Sequence, residues 1–202
     1  MTLSNSSQRS KSIPKPNQPI PAKFFHWLNI ISLLLMITSG LQIYNANAVF
    51  GGRNGPFAPA IFTLGGWLAG GRHWHFAAMW LFAINLFWYG IYILITRRWQ
   101  HRFVHSNDIK ALQVSQNQKR RIYAWHRLSY TAIIPVLLLA ILSGLGLYKP
   151  AQFHGIVDLF GGWQGLRIVH FLIVPTVLLF TRIHTEWGFK IGGIRMIKSI
   201  FW

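Results

Sequence analysis

Four stretches of this chain, about Phe24 to Tyr44, His73 to Thr96, Ile122 to Tyr148 and Leu166 to Ile183, are each almost continuously apolar. About 20 residues at helical rise cross the hydrocarbon of a bilayer, and these stretches reach that length. In lipid the backbone N–H and C=O groups must be satisfied within the segment, so each span has to be helical. The sequence therefore predicts an all-α integral membrane protein, a bundle of four transmembrane helices. A soluble helical bundle is the competing reading, and the length of the apolar runs disfavours it.

The chain carries 20 Lys and Arg against 3 Asp and Glu, a net charge of +17. Such a balance raises the question of nucleic acid. The basic residues flank the apolar runs rather than interleave with exposed polar sequence, so a lipid surface is the expected partner and nucleic acid is not. Arg9, Lys11, Lys15 and Lys23 precede the first run; Arg97, Arg98, Arg102, Lys110, Lys119, Arg120, Arg121 and Arg127 crowd the second connection; Arg182, Lys190, Arg195 and Lys198 close the chain. The other two connections hold only Arg53 with Arg72 and Lys149 with Arg167. By the positive-inside bias both termini face the cytoplasm, as expected of a multi-pass protein of the bacterial inner membrane. The chain has no cysteine, which excludes disulfides, iron–sulfur ligation and c-type haem attachment.

Residues 1–22, rich in Pro, Ser, Asn and Lys, are predicted to be a flexible basic tail, 23–190 the helical domain, and 191–202 a cytoplasmic C-terminal tail. Lys23, the first apolar run and Ala46-Asn47-Ala48 imitate a secretion signal, but the run is too long for one and begins with a histidine, so it reads as a retained helix. The connection from Asn45 to Arg72 contains an apolar patch, Phe57 to Leu68, expected to lie along the interface or cover a cofactor edge. That from Arg97 to Arg121 is expected to be a solvated, lipid-facing loop.

A weak repeat runs through the chain. Ser39-Gly40-Leu41-Gln42-Ile43-Tyr44 closes the first run as Ser143-Gly144-Leu145-Gly146-Leu147-Tyr148 closes the third. Gly65-Gly66-Trp67 and Arg72-His73-Trp74-His75-Phe76 open the second as Gly161-Gly162-Trp163 and Arg167-Ile168-Val169-His170-Phe171 open the fourth. Two helix hairpins related by a parallel repeat explain the matches, and they align His75, not His73, with His170.

Ionisable residues inside a membrane are costly and usually functional. His170 and His184 share the fourth run, about 21 Å apart and close to one helical face. The topology puts His75 and His170 at the outer depth and His26 and His184 at the inner depth, two pairs drawn each from two helices. A metal explains such pairing. Zinc would want three or four close ligands, commonly including carboxylate or thiolate, whereas the three acids Asp108, Asp158 and Glu186 lie outside the runs. Imidazole ligates haem iron and an apolar bundle accommodates a porphyrin, so two b-type haems are expected.

The other polar residues were weighed against this frame. His73 points about 200° away from His75 on a helix, so both cannot serve one iron. His101, His105 and His154 lie in connections, where interfacial anchoring or hydrogen bonding explains them. His126, at the inner depth, can replace His26 or His184, or can form with Arg127 and the neighbouring Tyr123, Asn117 and Gln118 a polar pocket for quinone. Arg72 and Arg167 stand one turn before the outer ligands, where they can pair with haem propionates or snorkel to the interface. Gly40, Gly144, Ser39 and Ser143 are small enough for a macrocycle or a neighbouring helix to approach closely. Pro135 and Pro175 are expected to kink the third and fourth helices.

With these residues assembled, the chain resembles the bacterial cytochrome b561 / nickel-hydrogenase cytochrome b family, four-helix di-haem subunits that include those of formate dehydrogenase and thiosulfate reductase. The resemblance covers about residues 20–190 and rests on Phe25-His26-Trp27, on Arg72 through Phe76 and on the His170 to His184 spacing. It implies His75 with His170 at the outer haem and His26 with His184 at the inner. It also implies electron transfer between an extracytoplasmic molybdopterin- or hydrogenase-type partner and membrane quinone, without a catalytic residue of the chain's own. Gln116-Asn117-Gln118-Lys119 is similar to a segment of relatives associated with molybdopterin enzymes, while the shorter cytoplasmic end departs from the hydrogenase type. Assembly as a homodimer is compatible with this reading. The alternatives are a self-contained oxidoreductase of the same fold, using superoxide or ferric iron at the outer haem and quinone at the inner, and a haem-free membrane scaffold or transporter.

Overall fold

A computed structural model describes residues 18–201, so most of the expected N-terminal tail lies outside the described residues. Seven α-helices follow one another: α1 (Ile20–Ala46), α2 (Leu68–Ile95), α3 (Trp99–Arg102), α4 (Ser106–Val114), α5 (Gln118–Tyr148), α6 (His154–Leu159) and α7 (Trp163–Lys198). α1, α2, α5 and α7 are each long and apolar enough to cross a membrane. All four begin before the expected apolar runs, and α1 and α7 also end beyond them.

Local chemistry sets the starts. α1 opens with a proline in its first turn, where the missing N–H has no intrahelical partner to lose. α5 is capped by Asn117, whose Oδ1 accepts the Arg120 N–H at 3.3 Å. α2 and α7 follow Gly65-Gly66 (φ 112° and 71°) and Gly161-Gly162 (φ 75° and 92°), a left-handed backbone that a β-carbon would strain. The two halves of the repeat thus begin their second helices with the same turn.

Two expectations change. α7 runs well past Ile183 and, at Gly193 (φ 58°), breaks rather than ends. Part of the expected C-terminal tail is therefore helix, and it turns back until the Trp27 indole N–H donates to the Ile200 carbonyl at 3.2 Å and the Trp27 ring meets Phe201 at 4.7 Å. Pro135 and Pro175 lie within α5 and α7. The connection from Arg97 to Arg121 is not a plain solvated loop: it forms α3 and α4. The His105 N–H donates to Asp108 Oδ2 at 3.0 Å at the start of α4, the same oxygen pairs with Arg127 at 3.1 Å, and Ala111 is buried against α5.

The apolar patch of the first connection lies on the outside. Both polar groups of the Asn45 side chain bind the backbone of Ala58 at 2.8 Å, and the Leu64 N–H donates to the Thr38 carbonyl at 3.0 Å. Phe57, Ile61, Phe62 and Trp67 remain exposed, as do Leu34, Trp80, Phe87, Leu138 and Leu178 on the helices. Ser32, Ser39, Asn85 and Ser143 are buried instead, the arrangement expected of a bundle whose solvent is lipid. Asn85 joins α2 to α1 by donating to the Phe25 carbonyl and to Asn29 Oδ1, each at 3.2 Å.

α1 packs chiefly on α2 and α5 chiefly on α7, so the bundle consists of two hairpins with a seam between them. Phe82, Ile133, Leu137 and Val177 fill the seam at mid-height, supported by Leu33, Met36 and Ile173. Aromatic pairs close it at one end. The shift that carries Ser39 onto Ser143 carries Tyr44 onto Tyr148, and the one that carries His75 onto His170 carries Phe76 onto Phe171. Tyr44 packs on Phe171 and Tyr148 on Phe76, both with ring centroids 4.7 Å apart. The repeat is thus a pseudo-two-fold in space, relating α1 to α5 and α2 to α7.

Candidate functional site

At the aromatic end of the seam, α2 and α7 bring His75 and His170 face to face, with ring centroids 6.2 Å apart and planes at 78°. Two imidazoles on opposite sides of one iron, with metal–nitrogen bonds of about 2 Å, have ring centres about 6 Å apart. The pair has the spacing for bis-imidazole ligation.

Hydrogen bonds fix which nitrogen is free. Ser143 Oγ lies 2.6 Å from the Leu139 carbonyl, to which it can only donate, so it accepts from His170 Nδ1–H at 2.8 Å. His75 Nδ1 lies 3.0 Å from the Met36 carbonyl, which can only accept, and 3.2 Å from Ser39 Oγ. Both rings therefore carry their proton on Nδ1 and leave a lone pair on Nε2, the state a metal-ligating imidazole needs. Gly40 and Gly144 stand beside these rings. A β-carbon on Gly40 would lie 3.3 Å from His75 Cε1, and one on Gly144 3.4 Å from His170 Cε1. The glycines make room for the imidazoles.

A cavity of about 420 Å³ adjoins the pair, and His75, His170, Arg72, Arg167, Gly40 and Gly144 all line it. Its walls are mostly apolar, and its size falls within the ordinary range of cofactor sites. Arg72 and Arg167 stand at its mouth; Arg167 also holds the first connection by donating to the Asn47 carbonyl at 2.6 Å. A flat apolar cofactor with anionic groups at one edge fits this donor set.

At the other end of the bundle His26 of α1 and His184 of α7 have ring centroids 6.5 Å apart with planes at 43°, again a spacing that one iron spans. His126 of α5 packs on His184 at 5.4 Å, as does Phe180. His184 Nδ1 is buried without a hydrogen-bond partner among the described residues. Unlike the first pair, this one is not oriented by serines. The candidate quinone residues separate: His126 joins the histidine cluster, while the Arg127 guanidinium is engaged by Asp108. His73, His101 and His154 are exposed, and His105 bonds the Gln100 carbonyl. Among the described residues no group of three or more His, Cys, Asp or Glu is arranged to hold a bare metal ion.

Sequence reasoning missed two features. Ser39 and Ser143 were read only as small residues. Tyr89 and Tyr130, not singled out at all, have hydroxyls 2.6 Å apart across the α2/α5 seam. The repeat was the available signal: carried along each helix, its register maps His26 onto Tyr130 and His184 onto Tyr89.

Residues 17–190 match the family described as prokaryotic cytochrome b561. The chain is also similar to the "Putative protein-methionine-sulfoxide reductase subunit YedZ1" of Azospira oryzae, 34% identical over 169 residues that cover 79% of this chain and 83% of that protein. No solved structure matches the chain.

Proposed function

The chain belongs to the prokaryotic cytochrome b561 family of membrane electron-transfer proteins, which bind b-type haem, and on that premise we propose that it carries two haems, one per leaflet, between quinone and an extracytoplasmic redox partner. The observation that carries the reading is the His75–His170 pair, set at a one-iron spacing beside a cavity that holds both arginines, with Nε2 free on each ring. His26 and His184, at a similar spacing, are the ligands at the inner depth. The distribution of Lys and Arg supports cytoplasmic termini and an inner-membrane location, with the His26 end inward.

Haem iron, when bound, supplies a reversible one-electron carrier. The chain supplies the rest. His75 with His170 and His26 with His184 would hold the two haems at opposite ends of one bundle, with the apolar cluster of Phe82, Leu137 and Val177 between them. Arg72 and Arg167 neutralise propionates at the outer mouth. Oxidation of a quinol releases two protons with its two electrons, and His126, against His184, is placed to take a proton on its ring. The relative named as a subunit of a protein-methionine-sulfoxide reductase supports outward flow, from quinol to a reductase docked at the outer end.

Pyridine-haemochrome counts and reduced-minus-oxidised spectra on purified alanine variants test this. His75→Ala and His170→Ala should each lose one and the same haem, and His26→Ala and His184→Ala the other. Loss of different haems within a pair, or a wild-type count other than two per chain, overturns the assignment.

A further inference from the structure

The two outer imidazoles are held unequally. His170 Nδ1–H has a single acceptor among the described residues, Ser143 Oγ at 2.8 Å, and that hydroxyl is fully buried and itself donates to the Leu139 carbonyl at 2.6 Å. A hydroxyl that is already donating is a better acceptor, because each bond in such a chain polarises the next. Ser39 Oγ is likewise fully buried and donates to the Leu35 carbonyl at 2.5 Å, but it stands farther from its histidine: His75 Nδ1–H is shared between the Met36 carbonyl at 3.0 Å and Ser39 Oγ at 3.2 Å. Pulling on Nδ1–H moves electron density toward Nε2 and makes the ring a more basic ligand, which favours oxidised over reduced iron.

We propose that Ser143, and to a smaller extent Ser39, are positioning residues that hold down the reduction potential of the outer haem through the Nδ1–H bonds of His170 and His75. The proposal rests on the reading of these two histidines as ligands of one haem. Its functional content is that the outer haem is made a stronger electron donor toward whatever docks outside, by two hydroxyls that touch neither haem nor partner. Among the described residues no such hydrogen bond orients His184, so a haem held there would lie outside this control.

The test is potentiometric titration of the purified haem-loaded protein, wild type beside Ser143→Ala and Ser39→Ala, with the outer haem identified as the one missing from His75→Ala. Ser143→Ala strands a buried donor, so the outer midpoint potential should rise. Ser39→Ala leaves His75 the Met36 carbonyl, so the rise should be clearly smaller. The inner midpoint should not move in either, which also serves as the control for folding. An outer midpoint unchanged in Ser143→Ala, an equal shift in both variants, or a matching shift at the inner haem overturns the proposal. Should Ser143→Ala fail to retain the outer haem, Ser39→Ala decides: a small upward shift supports the proposal and none overturns it. If His75→Ala and His170→Ala remove different haems, the ligand assignment falls first, on evidence independent of any potential.

Discussion

The imidazole of His126 lies against that of His184, ring centroids 5.4 Å apart and planes at 27°, while the His26 ring approaches the same His184 at 6.5 Å. His184 thus has two histidine neighbours on two helices, and only one of them could share an iron with it. With His26 as ligand, His126→Ala should retain both haem spectra and slow quinol oxidation by about a hundredfold or more, the loss expected of a general base. Spectra and quinol kinetics on one preparation check this; disappearance of the inner haem would instead make His126 the ligand.

Asp108 governs how the cytoplasmic connection responds to acid. Partial burial pushes its carboxyl upward, but the His105 N–H and the Arg127 guanidinium outweigh that and hold it below the usual carboxylate range. A carboxyl whose folded value lies below its unfolded value, about 3.9, stabilises the fold above that pH and loses the contribution as pH falls through the folded value. Asp108→Asn should therefore lower the melting temperature in detergent at pH 6, and the gap to wild type should close as pH falls through the lowered value of the folded carboxyl. A gap that persists in acid would show that the ion pair is not its source.

The hydroxyls of Tyr89 and Tyr130 meet at 2.6 Å across the α2/α5 seam. Interhelical hydrogen bonds in membranes are worth about 1 kcal/mol. Tyr89→Phe and Tyr130→Phe should each destabilise by that order, and the double variant by little more than either single one, because both remove the same bond. A double-mutant cycle on detergent-induced or thermal unfolding measures the coupling; strict additivity would rule the bond out as a shared contribution.

The spans were legible because lipid leaves the backbone so few options, and the repeat placed His75 rather than His73 opposite His170. The folding of residues 97–121 into α3 and α4 was not legible, since it depends on Asp108 reaching both His105 and Arg127, contacts that composition does not display. The return of the C-terminal end onto Trp27 depends on a single left-handed glycine, Gly193, inside an otherwise regular pattern. The serine hydroxyls act across helices, on histidines far along the chain, where no helical period exposes the relation. Only the recurrence of Ser-Gly before each histidine pointed to it.

The register also marks where the duplication stops being obeyed. Around the outer cavity it pairs like with like: Ser39 with Ser143, Arg72 with Arg167, Tyr44 and Phe171 with Tyr148 and Phe76. Toward the other end it sets His26 and His184 against Tyr130 and Tyr89. A porphyrin turned over about the axis between its propionates exchanges its vinyl and methyl edges while keeping both carboxylates at the mouth. Away from the like pairs the outer cavity does not obey the register: α2 lines it with Met79, Trp80 and Ala83, whose counterparts are Val174, Pro175 and Leu178, so the two orientations of a porphyrin held between His75 and His170 would meet different walls.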